Sequence, residues 1–124
     1  MNQNPSTMPM IEIMDTTLRD GEQTNGVSFT AHEKKNIARL LVKELNVDRL
    51  EIASARVSDG ELEAVRRIAQ WANEAGCLDR FEVLGFVDGG RSLAWIRDAG
   101  CRTMNLLCKG SLRHLTEQLR RTPE

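Results

Sequence analysis

The 124-residue sequence predicts an α/β fold in which four strand-helix units follow one another and the strands form a parallel sheet. Three observations support this prediction. Short apolar runs alternate with segments of helical period. Ser or Thr followed three residues later by Glu, a capping box, opens two of the helical segments. An acid-Ala-Gly-Cys sequence recurs at residues 74–77 and 98–101, where a helix would end before a strand. Such alternation requires right-handed crossovers between parallel strands.

The strands are predicted from apolar runs at residues 10–14, 47–53, 81–87 and 103–108. Thr30 and Ser58 are the predicted caps of the first two helices, and Asn46 and Gly76 are the residues at which these helices end. A third helix is predicted at residues 92–99, and Ser111 is the predicted cap of a fourth. The side chains expected to face the core are Ile37, Leu40, Leu41 and Leu45 in the first helix; Leu62, Val65, Ile68, Ala69 and Ala72 in the second; and Leu112, Leu115 and Leu119 in the last.

Length and composition exclude several classes of protein. A chain of this length builds one core and therefore one domain at most. Lys and Arg number 17 against 18 acids without strong clustering, so there is no charge signature for nucleic acid or an anionic membrane. The three cysteines match no zinc or disulfide spacing, which favours reduced thiols. Residues 1–9 are polar and lack a targeting pattern, so we expect a flexible leader there and a cytoplasmic protein.

The most informative segment is residues 15–23, which places an arginine, three acids and a glutamine directly after the first predicted strand. An Arg beside an Asp at the end of a strand suits two roles. The carboxylate can hold a hard divalent cation, and the guanidinium can bind an oxyanion. The structural alternative is a plain turn, in which Asp20 and Gly21 form the bend and Arg19 pairs with Glu22 at the surface.

These residues resemble a known family. The sequence Asp-Thr-Thr-Leu-Arg-Asp-Gly-Glu-Gln at residues 15–23 is similar to the signature of metal-dependent acyltransferases and lyases built on a TIM barrel. The family includes 2-isopropylmalate, homocitrate and citramalate synthases and hydroxymethylglutaryl-CoA lyase. Residues 47–58, 82–89 and 105–111 extend the resemblance over nearly the whole chain after residue 10, closest to the isopropylmalate and citramalate synthase branch.

The resemblance implies the N-terminal half of a (β/α)₈ TIM barrel at residues 10–124, because a complete barrel needs roughly 250 residues. It also implies condensation of acetyl-CoA with a 2-oxoacid, as in leucine or isoleucine biosynthesis. The implied metal ligand is Asp20, holding Mg²⁺, Mn²⁺ or Zn²⁺ together with two histidines of the later half of the barrel. Arg19 would stabilise the developing alkoxide. We expect this truncated barrel to be inactive alone, and to associate as a homodimer because its sheet is open.

Four further residues are site candidates. Glu51 lies inside the second predicted strand, where it could orient Arg19 or a metal-bound water, or form a salt bridge at the rim. Gln23 could bind substrate or be a solvated amide. Leu84 and Leu107, near the ends of the third and fourth strands, would contact the oxoacid side chain if they face inward, or else pack in the core.

His32 and His114 lie on or beside predicted outer helices without a partner at ligand spacing, so we expect surface histidines. A phosphoryl-receiver signalling domain has a similar length and similar acids, but its acidic pair belongs at the end of the first strand and its lysine after the fifth. A non-catalytic half-barrel is the remaining alternative.

Overall fold

The computed structural model describes residues 9–122, so the leader predicted at residues 1–9 lies, except for Pro9, outside the described residues. The strands are β1 (Met14–Asp15), β2 (Arg49–Ser54), β3 (Phe81–Phe86) and β4 (Thr103–Leu107). The helices are α1 (Ala31–Lys43), α2 (Asp59–Glu74) and α3 (Arg91–Asp98). Two single 3₁₀ turns (Gly21–Gln23 and Leu78–Arg80) and a π-helical turn (His114–Gln118) complete the described elements.

The four strands form one parallel sheet in the order β1-β2-β3-β4. Sequential pairing of this kind is what consecutive right-handed βα units produce, and it confirms the predicted half-barrel arrangement. A receiver domain requires the first strand to be flanked on both sides. Here β1 is at the edge of the described sheet and pairs with β2, so the receiver alternative is wrong for this fold.

β1 is shorter than predicted, two residues in place of the five at 10–14. The reason lies in the side chain of Asp48, whose carboxylate accepts the backbone N–H of Ile13 at 2.8 Å. That N–H is therefore not available to a neighbouring strand. Met10, Ile11 and Ile13 are consequently exposed at the start of the described chain.

The main core lies between the sheet and the three helices. It includes Ile52, Phe81 and Val83 from the sheet and Val65 and Ile68 from α2, all of which are fully buried. Close packing also explains a glycine inside β3. A Cβ added to Gly85 would overlap Sδ of Met104, so the methionine on β4 occupies the space that a side chain would need.

The first helix begins as predicted, but its inward face differs. Thr30 and Glu33 form both halves of the capping box. The predicted stripe is wrong for Leu40 and Leu45, which are 51% and 70% exposed. Leu45 follows the end of the helix, where the chain turns through Asn46 in the predicted left-handed conformation (φ 52°). The buried residues of α1 are Lys34, Ala38, Leu41 and Val42.

The last predicted helix is present but short: one helical turn at residues 112–113 continues into the π-helical turn His114–Gln118. The hydroxyl of Ser111 accepts the backbone N–H of His114 at 3.2 Å, so the predicted cap is confirmed. Leu112 and Leu119 are exposed and Leu115 is half-buried, so the predicted apolar stripe does not form a packed helix face. A short turn carries too few residues to cover the strand before it, and Leu106 of β4 is more than half exposed. Within the described residues, the sheet is thus better covered on β2 and β3 than on β4.

In the described part of the chain, none of the helices combines the length and the apolar character needed to cross a membrane. The cysteines differ in environment, and all three are free thiols. Burial raises the pKa of the Cys101 thiol to about 11, whereas Cys108 is exposed. Because the thiolate is the reactive form, Cys101 is an inert core residue.

Candidate functional site

The segment at residues 15–23 is a fixed turn at the carboxyl end of β1. The backbone N–H groups of Arg19, Asp20 and Gly21 all point to the carbonyl oxygen of Thr16, at 2.8–3.2 Å. Leu18 is buried in the core and anchors the turn from below. The backbone that carries Arg19 and Asp20 is therefore fixed by the hydrogen bonds to Thr16 and by the buried side chain of Leu18.

Arg19 does not pair with Glu22, as the plain-turn alternative requires. Its Nε donates to Oε1 of Glu51, which lies across the strand ends on β2. The Glu51 side chain is completely buried, and its other oxygen accepts Nδ2 of Asn105 on β4 at 2.5 Å. Both carboxylate oxygens of Glu51 are thus hydrogen-bonded, one to a cation and one to an amide.

This arrangement makes Glu51 a positioning group for the guanidinium. Its two oxygens accept from Arg19 and from Asn105, so the carboxylate is fixed in place and in turn fixes Nε of the guanidinium. The remaining guanidinium nitrogen contact runs to Asp20, from Nη1 to Oδ1, at 3.1 Å. Arg19 is thereby held between a buried acid and an exposed one.

Asp20 is the outermost member of this set, and its side chain is 66% exposed. Its carboxylate fits the role of a ligand to a hard divalent cation, because oxygen donors suit such ions and this one faces solvent. No group of three or more His, Cys, Asp or Glu side chains with metal-binding geometry exists among residues 9–122. The described residues therefore do not form a three-ligand metal site by themselves, and Asp20 could act only together with ligands from elsewhere.

The other three predicted residues lie in three different places. Gln23 lies on the Gly21–Gln23 turn and, with Arg19 and Ser54, lines a cleft of about 310 Å³. Leu84 is buried on β3, where its Cα is paired in register with that of Asn105. Leu107 is partly exposed and lines, with residues of the C-terminal turn, a separate cavity of about 550 Å³. The structure thus brings Arg19, Asp20, Gln23 and Glu51 together, and places Leu107 in the second cavity.

The histidines behave as expected. His32 is exposed on α1 beside Asn36, 3.0 Å from its amide nitrogen, and His114 is exposed in the C-terminal turn. Neither is part of a three-residue metal-ligand cluster within the described chain.

Sequence reasoning missed two residues that support the site. Asn105 appeared only within the segment that carries the family resemblance, although a polar residue between Met104 and Leu106 signals an inward-facing contact. Lys34 was overlooked because the apolar stripe of α1 was traced through Leu40. Its spacing to Ala38 and Leu41 places it on the buried face.

A second polar cluster joins the loops after β2 and β3. Arg56, held in the left-handed region at φ 65°, donates from Nη1 to Asp88 at 2.9 Å. Asp88 also accepts the backbone N–H and the hydroxyl of Ser92 at the start of α3. Hydrogen bonds from that backbone N–H and hydroxyl, together with the weaker influence of Arg56, lower the pKa of Asp88 to about 2. The two loops are thus tied together beside the site.

This pKa predicts acid sensitivity. Because the folded pKa lies below the ordinary 3.8, the contribution of Asp88 to stability is complete above about pH 4 and is lost as the pH falls towards 2. We expect the unfolding free energy of the native chain to fall more steeply over this interval than that of Asp88→Asn. Urea unfolding at several pH values measures both slopes. The exposed Asp98→Asn is the control, and equal slopes in all three proteins would contradict the prediction.

The fold and the site define a class of protein: a parallel βα half-barrel that carries a fixed Arg-Asp pair at the carboxyl ends of its strands. Comparison with known proteins gives the family, since residues 10–124 match the HMGL-like family model and the chain belongs to that family.

The relatives that the chain resembles are synthases. It is 42% identical to a 2-isopropylmalate synthase of Pyrococcus furiosus over 116 residues, which is 92% of this chain and 22% of the relative. It is 40% identical to a putative (R)-citramalate synthase CimA of Methanoculleus marisnigri, over 92% of this chain and 22% of the relative. Over 46% of this chain and 14% of the relative, it is 60% identical to the homocitrate synthase AksA of Methanopyrus kandleri. The chain spans about 22% of the length of the relatives that it matches over most of its own length.

Proposed function

We propose that this chain supplies the Arg-Asp part of the active site of an enzyme that condenses an acyl-CoA with a 2-oxoacid, of the 2-isopropylmalate or citramalate synthase type. The observation that carries the proposal is the Arg19 guanidinium fixed on buried Glu51 beside the exposed Asp20 carboxylate. The names of the relatives support the same type of reaction. The substrates are acetyl-CoA and a 2-oxoacid, and the implied product class belongs to leucine or isoleucine biosynthesis in the cytoplasm.

Each residue has a distinct part in this proposal. Asp20 is a ligand to a divalent cation, Mg²⁺, Mn²⁺ or Zn²⁺, whose chemistry in such a site is Lewis-acid polarisation of a ketone. Arg19 stabilises negative charge on the ketone oxygen as the new carbon-carbon bond forms. Glu51 holds the guanidinium in place through Nε, while Nη1 contacts Asp20. Gln23 binds the polar end of the substrate across the cleft it shares with Arg19.

Leu84 and Leu107 are proposed to contact the side chain of the oxoacid. Leu107 lines its cavity together with the apolar side chains of Phe86 and Leu115, and Leu84 is buried on β3. The size of the oxoacid accepted would then depend on how far this apolar surface extends.

The isolated 124-residue chain is proposed to be inactive in condensation, because the described residues hold no cluster of three or more side chains that could bind the cation. We also propose that it forms a homodimer. The apolar side chains of Val87, Leu106 and Leu107 are substantially exposed on or beside β3 and β4. Exposed surface of this kind favours association, which sedimentation velocity at micromolar concentration measures.

A chimera tests the function without requiring activity from the isolated chain. The 116-residue matching segment of the Pyrococcus furiosus 2-isopropylmalate synthase would be replaced by the corresponding residues of this chain. We expect acetyl-CoA thiol release that depends on both a 2-oxoacid and a divalent cation, with 2-oxoisovalerate and pyruvate compared as substrates. A chimera that folds like the parent but releases no thiol with any 2-oxoacid tested would favour the non-catalytic half-barrel.

A further inference from the structure

Lys34 of α1 has an environment unusual for a lysine, with only 2% of its surface exposed. Its Nζ contacts the carboxylates of Glu22 and Glu61 and lies 3.4 Å from the carbonyl oxygen of Leu18. These acceptors belong to two parts of the structure. Leu18 and Glu22 lie in the turn after β1, and Glu61 lies in the first turn of α2.

The loop residues that Lys34 contacts lie on both sides of Arg19 and Asp20 in the sequence. Leu18 comes directly before Arg19, and Glu22 follows Asp20 by two positions. The other oxygen of Glu22 accepts the backbone N–H of Phe29 at 2.9 Å, which closes the far end of the same loop. One ammonium group therefore holds the loop on both sides of the Arg-Asp pair.

The ion pair between Lys34 and Glu61 takes the place of a usual helix-capping contact. The sequence at Ser58 predicts a capping box, and the hydroxyl of Ser58 does accept the backbone N–H of Glu61 at 3.1 Å. The carboxylate of Glu61, which would complete the box, instead pairs with Lys34. Glu61 therefore does not complete the capping box at the start of α2 and instead links α2, through Lys34, to the loop after β1.

We propose that Lys34 is a positioning residue for Arg19 and Asp20, acting by fixing the backbone of the loop that carries them. Stability alone does not require a cation here, because apolar residues often replace a buried ion cluster without loss. A cation is needed to bind two carboxylates and a carbonyl together. Lys34 does not line the cleft beside Arg19, so it acts through the loop and not on a ligand. The proposal depends on the proposed function only in treating Arg19 and Asp20 as the binding groups.

The test is amide hydrogen exchange, followed by NMR, on the ¹⁵N-labelled 124-residue chain. In Lys34→Met we expect exchange at Asp20, Gly21 and Glu22 to rise about tenfold or more, since these amides depend on the fixed turn. Exchange at Ile68 of α2 and Val83 of β3 should change less than about twofold. The Nε–H signal of Arg19, identified by its loss in Arg19→Lys, should broaden or shift as its contact with Glu51 loosens.

Three further variants make the result decisive. Lys43→Met, on the exposed face of the same helix, should leave all these signals unchanged. Lys34→Arg keeps the charge and should restore part of the loop protection. If Lys34→Met does not fold, Glu22→Gln carries the test, because it removes the loop carboxylate and leaves Lys34 paired with Glu61.

Two results would overturn the proposal. An equal rise in exchange at the loop and at the core amides would make Lys34 a residue of general stability only. An unchanged loop and an unchanged Arg19 Nε–H signal would show that the loop keeps its conformation without Lys34. The sample contains neither metal nor substrate, so an inactive chimera would leave this result intact, and failure here would leave the chimera result intact.

Discussion

Replacing Glu51 by alanine is expected to lower the free energy of unfolding of the chain by about 3 kcal/mol. The Glu51 side chain is fully buried, and its removal leaves the Arg19 guanidinium and the Asn105 amide without their shared acceptor. Arg19 is itself only 23% exposed, so water replaces the lost contact incompletely. Urea unfolding, followed by circular dichroism, measures the change.

A matched substitution on α2 tests whether the loss of unfolding free energy comes from burial of the carboxylate or only from loss of an ion pair with arginine. Glu63 on α2 also pairs with an arginine, Arg67, at 2.7 Å, but both side chains are about half exposed. Glu63→Ala is therefore expected to change the unfolding free energy by no more than about 0.5 kcal/mol. If the two variants lose the same stability, the Glu51 carboxylate is not the desolvated link between β1, β2 and β4 that the structure indicates.

The elements that could be predicted from the sequence are those whose signals are local. The capping box at Thr30, the left-handed Asn46 and the alternation of strands and helices follow from backbone hydrogen bonding and period over a few residues. The sheet order followed as well, because consecutive βα units have one favourable handedness. The position of Arg19 and Asp20 at the end of β1 belongs to this category.

What could not be predicted depends on contacts that are distant in the chain. Asn105 meets Glu51 across 54 positions, and Lys34 meets Glu61 across 27. The shortness of the last helix has the same origin: Leu112 and Leu119 have a helical spacing but are exposed, and an apolar stripe forms a long, stable helix only where a surface covers it. β1 is short because the side chain of Asp48 captures a backbone donor, which is invisible to an apolar pattern.

The geometry around Glu51 favours one of the roles left open for it, that of orienting Arg19. A rim salt bridge would be exposed, whereas this carboxylate is completely buried and touches Arg19 directly. We therefore propose that its role in the reaction is to hold the guanidinium. Substitutions at Arg19 and Asp20 should then act on different steps, because the first group is fixed inside the protein and the second faces solvent.

In the active chimera, Arg19→Lys and Asp20→Asn are expected to impair the enzyme in different ways. A lysine cannot contact Glu51 and Asp20 together through a rigid fork. We therefore expect kcat and kcat/KM to fall together by about 10²–10³-fold, the loss typical of one oxyanion donor. Mn²⁺ affinity should be unchanged. In Asp20→Asn, Mn²⁺ binding should weaken and KM for the 2-oxoacid should rise.

The two effects are separated by measuring Mn²⁺ binding by electron paramagnetic resonance and thiol release at saturating Mn²⁺. Excess Mn²⁺ should recover part of the activity of Asp20→Asn and none of that of Arg19→Lys, because added cation can offset weaker binding but cannot replace a missing guanidinium. Asp59→Asn, exposed in the first turn of α2, should match the unsubstituted chimera. If Asp20→Asn binds Mn²⁺ normally, or if Mn²⁺ rescues Arg19→Lys, the assigned roles are reversed or absent. The Arg-Asp turn would then serve the fold, with Arg19 acting as the counter-ion that allows Glu51 to be buried.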